Sequence, residues 1–166
     1  TYFNCGTGPT TSTAICIGHP NSGSTPPIIR ASASLEVISE VPADFTGEYI
    51  TLIDVEGNEV TFTGNGSKTA AERSSATAYA VGMYGLTTAQ GGPISDYGLP
   101  RDIAFRWDEA FDLAYTNGDI KLKSYRNLDT ITLTQVYGGL ASNTTIDTDV
   151  DTDTALTVST KVINGL

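Results

Sequence analysis

Four carboxylates, Asp147, Asp149, Asp151 and Asp153, alternate with Thr148, Val150 and Thr152. On an extended strand this spacing places all four on one side, where their repulsion calls for solvent or a cation such as calcium. An EF-hand loop needs glycine at its sixth position and a bidentate acid at its twelfth. Counted from Asp147 these are Thr152 and Val158, so the run reads as a solvated acidic connector. Cys5, Cys16 and His19 supply three groups at C-x10-C-x2-H spacing, one short of a tetrahedral zinc site. The two cysteines are free thiols or a disulfide; a disulfide would close a loop of about a dozen residues and add ~3 kcal/mol. Nucleophilic hydrolysis needs a base beside the nucleophile, and the single histidine, His19, lies in a Gly/Pro/Thr segment with no G-x-S-x-G elsewhere. Asp108 with Asp112 or Glu109 has the makings of a glycosidase pair, but on an amphipathic helix such acids are normally the solvated face. The expectation is therefore no enzyme, no metal and no cofactor. Tyr97, Tyr125 and Tyr137 sit at or beside turns, where they pack on edges or form a carbohydrate-stacking surface.

The elements that must position these residues follow from composition. A chain of 166 residues and 17.5 kDa makes one domain with appendages. Nine Lys and Arg against nineteen Asp and Glu give a net charge of −10, which repels nucleic acid and anionic lipid, so neither is an expected partner. Only 17% of residues are charged, while 25 Thr, 13 Ser and 17 Gly point to strands with short connections. The start, Thr1-Tyr2-Phe3-Asn4-Cys5, shows no basic and apolar export signal, which fits equally a cytoplasmically made chain that has lost its initiator Met and one whose leader has been cleaved.

Residues 1–32 are dense in Gly, Pro, Ser and Thr, and read either as a loose terminus or as an extended arm lying on its own domain or on a neighbour, in which case Phe3, Ile15, Ile17, Ile28 and Ile29 are its expected partner contacts. Residues 33–146 form the globular domain. Alternation around Leu35 and Val37 predicts a strand, and residues 49–63 predict a hairpin turning at Glu56-Gly57-Asn58. Gly64-Asn65-Gly66-Ser67 should break the pairing, and residues 69–77 read as a polar link to a short strand over 78–82. Ile103, Trp107, Ala110, Phe111 and Ala114 recur at helical spacing, with Asp102 as N-cap and Gly118 as C-terminal stop. Residues 120–123 and 130–136 predict a second hairpin. Residues 147–166 are an acidic connector and a strand-like tail, free to pair with this domain or with another subunit's edge. The fold class is α+β and β-rich: an antiparallel sheet from two hairpins with one amphipathic helix packed on it, plus an N-terminal arm and a C-terminal tail.

The runs YITLIDVEGNEVTFTGNGSKTAAERSSATAYAVG, GDIKL and DTITLTQVYGGLASNTTID resemble a small module of structural proteins in marine and freshwater tailed phages. That module reads I-T-L-x-D-x-x-G-x-x-x-T-F, a Thr/Ala-rich linker, a helix, and I-T-L-T-Q-x-x-x-G-x-x-G-N-T-x-I. The similarity spans roughly residues 33 to 150 and ends on the run from Gly139 to Ile146. The helix departs from the family's Ala-rich form by carrying Phe105, Trp107, Phe111 and Tyr115, and the module stands here once, with its own arm and tail. The resemblance implies a virion protein, either a capsid cement or decoration protein or, alternatively, a tail- or fibre-associated receptor- or glycan-binding module. Its implied partners are the major capsid protein or other virion proteins, together with further copies of itself.

Overall fold

The computed structural model describes residues 30–86, 99–138, 144–149, 156–158 and 162–163, with Leu99 and the last two stretches described by backbone alone. Alternation produces the first strand: in β1 (Ser32–Val37) Ala33, Leu35 and Val37 are buried. A 3₁₀ turn (Pro42–Phe45) then inserts the fully buried Phe45. β2 (Tyr49–Ile53) and β3 (Glu59–Asn65) pair antiparallel from Tyr49↔Thr63 to Ile53↔Glu59, as the alternation predicts. Gly57 takes φ +83° at the turn, a conformation that favours glycine.

The residues read as a polar link contain a strand, β4 (Glu72–Ser75), which pairs antiparallel with β5 (Ala78–Gly82). All four β4 side chains are exposed, so no apolar alternation marks it. Because β4 makes the return, β5 lies parallel to β3, from Thr61↔Ala78 to Asn65↔Gly82. The second hairpin, β6 (Leu122–Asn127) and β7 (Thr130–Gln135), turns at Leu128 with φ +61°.

The class is α+β and β-rich, with one α-helix on two sheets among the described residues. The two hairpins lie in different sheets: one is ordered β6-β7-β1-β9, the other β10-β8-β2-β3-β5-β4. The division follows from β1, which pairs with β7 and not with its sequence neighbour β2. The tail pairs within the chain. β8 (Thr144–Thr148) lies against β2, β9 (Leu156–Val158) against β1 and β10 (Val162–Ile163) against β8. Strand pairing thus continues past residue 146 into what reads as the acidic connector.

The helix α1 (Leu99–Asn117) touches β6, β7 and β1 of one sheet and β5 and β3 of the other. Ile103, Ala104, Trp107, Ala110, Phe111 and Ala114 form its buried stripe. Phe111 meets Phe62 edge-on at 4.7 Å, Trp107 lies 6.1 Å from Phe111 and 6.3 Å from Phe45, and Phe62 lies 5.5 Å from Tyr79. Aromatic pairs of this kind add about 0.5–1.5 kcal/mol each beyond the area they bury. The helix ends as glycine chemistry dictates: Gly118 has φ +79°, its N–H bonds Tyr115 O at 3.0 Å, and Asp119 N–H bonds Ala114 O at 3.0 Å, a Schellman pair. Its start corrects the expected cap. The helix opens at Leu99, so Asp102 falls inside the first turn, where it cannot serve as N-cap. Its Oδ2 is buried without a hydrogen-bond partner among the described residues. Burial raises its pKa, against the opposing charges of Arg126, Arg106 and Arg101.

Candidate functional site

The arm residues expected to contact a partner, Phe3, Ile15, Ile17, Ile28 and Ile29, lie outside the described residues, as do Cys5, Cys16, His19, Tyr97, Asp151 and Asp153. The near half of the acidic run is in view. Tyr49 N–H donates to Asp149 Oδ1 and Tyr49 Oη to Asp147 Oδ2 at 3.5 Å, so these acids reach their own β2. The Asp147 charge is the largest cause of a raised Tyr49 pKa. Asp108 is not on a solvated helix face as its pattern suggests: it is partly buried, with Oδ1 unpartnered among the described residues. α1 packs along β6, so this side of the helix is lined by strand as well as by water. Burial raises the Asp108 pKa, a hydrogen bond from Ser124 opposes this, and exposed Asp112 reaches the same Ser124 at 3.5 Å.

Two polar clusters escape sequence reading because their members are distant in the chain. In the first, Arg73 on β4 grips Asp119 through Nε at 2.6 Å and Nη2 at 3.0 Å, Tyr79 Oη donates to Asp119 Oδ2, and Asn117 Nδ2 donates to Tyr79 Oη at 2.9 Å. The hydrogen bonds from Arg73 hold the Asp119 carboxyl below its ordinary range, while burial and the Asp119 contact raise the Tyr79 hydroxyl. A phenol held protonated is no base, so the cluster fastens the sheet edge to the helix end. A group with a depressed folded pKa stabilises fully above its unfolded value, about 4, and loses that contribution as pH falls through the folded value. We expect urea midpoints to fall more steeply below pH ~4 in the native chain than in Asp119→Asn. Parallel pH profiles would refute the assignment.

The second cluster is more buried. Asp54, 1% exposed, accepts from Glu56 N, Asn58 N and Asn58 Nδ2 at 2.9 Å each and from Lys121 N at 2.6 Å. Gln135, 0% exposed, accepts from Val55 N at 3.1 Å through Oε1 and donates through Nε2 to Ile53 O at 3.2 Å and Thr144 Oγ1 at 2.8 Å. Together they tie the β2–β3 turn to β6, β7 and β8.

Of the exposed large apolar side chains among the described residues, Val41, Tyr84, Phe105, Tyr125 and Leu128 fall around two features, and Ile38 and Tyr137 line neither. One is a groove of about 410 Å³ lined by Val41, Pro42, Ala43, Thr46, Gly66, Met83, Tyr84, Gly85 and Leu86, in which Val41 and Tyr84 are half exposed. The other is the β6 margin, with Tyr125 71% exposed and Phe105 and Leu128 about half exposed. A cavity of about 440 Å³ lies at the end of this margin, between Arg101, Asp102, Phe105, Arg126, Asn127 and Leu128. Arg126 Nη1 bonds Leu128 O at 3.0 Å while its guanidinium stands 5.5 Å from the Phe105 ring centre. Compared with family models, curated proteins and solved structures, the chain matches none.

Among the described residues, no three His, Cys, Asp or Glu side chains converge on a common point that would hold a metal ion, and no helix is long and apolar enough to cross a membrane. Tyr125 and Tyr137 are both exposed, at 71% and 50%, so of the turn tyrosines these two are available to a partner. The signal that could have found the β6 margin was present: Lys123, Tyr125 and Asn127 are polar or aromatic at alternate positions, the pattern of a strand with one wet face.

Proposed function

We propose that this chain is a structural protein of a virion, a capsid cement or decoration protein assembled from chains made in a host cytoplasm. The observation that carries the reading is the placing of exposed apolar side chains at the Val41/Tyr84 groove and the β6 margin, around an aromatic core that is sealed. A protein that works by covering surface between neighbours needs such patches. The resemblance of residues 33–150 to a phage structural module supports the same reading. In it, the N-terminal arm fastens the domain to the major capsid protein: burying an isoleucine is worth about 1.5–3 kcal/mol, so several suffice to hold a subunit on a lattice.

Replacing Ile15, Ile17, Ile28 and Ile29 by serine is expected to weaken binding to empty capsids by about a hundredfold or more, with the circular dichroism of the domain unchanged. Undiminished binding would remove the arm from the mechanism. Mass spectrometry of purified particles tests the reading itself. Many copies per particle are expected for decoration, a few copies point to the tail- or fibre-associated glycan-binding alternative, and absence from particles overturns both.

A further inference from the structure

We propose that two copies of this chain join edge to edge through β6, around a two-fold axis at Ser124, turning two four-stranded sheets into one of eight strands. The inference stands apart from the virion reading, since it concerns the isolated protein.

The hydrogen-bond pattern sets which atoms are available. Val136 N–H bonds Lys121 O at 3.0 Å, so in the β6–β7 register Lys123, Tyr125 and Asn127 share the same inward role, bonding to β7. Leu122, Ser124 and Arg126 therefore turn their backbone N–H and C=O groups away from β7, and β6 is the last strand of its sheet. No bond from these groups to another element occurs among the described residues. Proteins normally defend such an edge, and the far edge of the other sheet is defended: β4 has four residues, carries a register shift between Arg73 and Ser75, and commits Arg73 to Asp119. β6 has six residues in unbroken register with β7.

Its side chains suit a second copy of the same strand. With Ser124 opposite the partner's Ser124, an antiparallel register sets Lys123 opposite the partner's Tyr125 and Arg126 opposite the partner's Leu122. The two-fold repeats each pair, as an isologous interface requires. Lys123 Nζ stands 5.2 Å from the Tyr115 ring centre within its own chain, so in the dimer it exchanges that ring for the partner's exposed Tyr125, twice over, and no like charges stand directly opposite. Asp112, 3.5 Å from Ser124, then lies beside the axis, where the partner's Arg126 offers it an opposite charge. Tyr125 on one face and Phe105 on the other shield the new ladder from water.

Sedimentation equilibrium of the full chain is expected to show a monomer–dimer equilibrium. Ser124→Pro deletes an outward N–H that the fold does not use, and proline is tolerated on edge strands; this variant should be monomeric with an unchanged far-ultraviolet spectrum. Tyr125→Lys sets lysine against lysine at an exposed position and should weaken the dimer at least about tenfold without touching the fold, which keeps the test alive if the proline variant folds poorly. A native chain that stays monomeric at all concentrations, or a dimer indifferent to both substitutions, would overturn the proposal. Neither result bears on whether the protein is found in particles.

Discussion

Asp54→Ala is expected to lower stability by about 3–5 kcal/mol, because it strips the shared acceptor from four hydrogen-bond donors at once. The carboxylate is 1% exposed and serves four donors, three of them backbone N–H groups of Glu56, Asn58 and Lys121. Alanine leaves all four without their acceptor, and an unsatisfied buried donor costs about 1–3 kcal/mol, toward the low end for the Glu56 and Asn58 donors of the exposed turn. The loss also spreads through the sheets. Asp54 shapes the turn that presents Val55 N–H and Ile53 O to Gln135, and Gln135 holds Thr144 at the start of β8. Set against a typical domain stability of roughly 5–15 kcal/mol, this is about a fifth of the total or more. Asp54→Asn separates shape from acceptor count. An amide keeps one acceptor oxygen and puts an NH₂ group toward either the Glu56/Asn58 pair or the Lys121/Asn58 side-chain pair, so about half the loss is expected. Urea denaturation with the native m-value checks both. An Asn variant as damaged as Ala would mean that the two oxygens act together, and an Ala variant near native stability would mean that the network does not tie the sheets.

What could be read from the sequence was what repeats locally. The β2–β3 hairpin announces itself by alternation and Gly57, and α1 by the spacing of Ile103, Trp107, Phe111 and Ala114, because each signal spans a few residues. Partner choice is not local. Nothing near β1 says that it pairs with β7, nearly a hundred residues on, and so the division into two sheets was hidden. Strand β4 carries no apolar side chain at all, since it is an edge held by pairing with β5 and by Arg73. Asp54 and Gln135 look like ordinary members of alternating runs, and only the 80 residues of chain between Val55 and Gln135, folded back, reveal their task. Asp108 was misread because its flank of the helix lies along β6, while the solvated face is taken by residues such as Phe105 and Asp112. Of the candidate site, Tyr125 was legible as a turn aromatic, but the free backbone of β6 was not, because strand order is invisible until β1 has chosen β7.

Gly64→Ala is expected to cost about 3 kcal/mol or more, at or beyond the upper end of ordinary overpacking. In sequence Gly64 looks like the first residue of a break; in the fold it lies inside β3, which runs on to Asn65 beside β5. Its freedom of φ is not what matters. A Cβ here would collide with the carbonyl oxygen of Phe45, and a backbone atom cannot rotate away as a flexible side chain can. The chain leaving the 3₁₀ turn is tied to Gly64 through both of its backbone groups, since Gly47 N–H bonds Gly64 O at 2.9 Å and Gly64 N–H bonds Glu48 O at 2.9 Å. Relief therefore requires moving Phe45, which is fully buried and 6.3 Å from Trp107, so strain passes into the aromatic core. Gly57→Ala is the matched control. It has φ +83° and no atom within 4 Å, leaving only the left-handed backbone penalty of about 1–2 kcal/mol. The two variants should therefore differ in urea midpoint and also in kind: Gly64→Ala should disturb the near-ultraviolet signal of Trp107, while Gly57→Ala leaves it intact. Equal effects from both would mean that Phe45 does not approach β3 this closely, and that Gly64 is there only to end a turn.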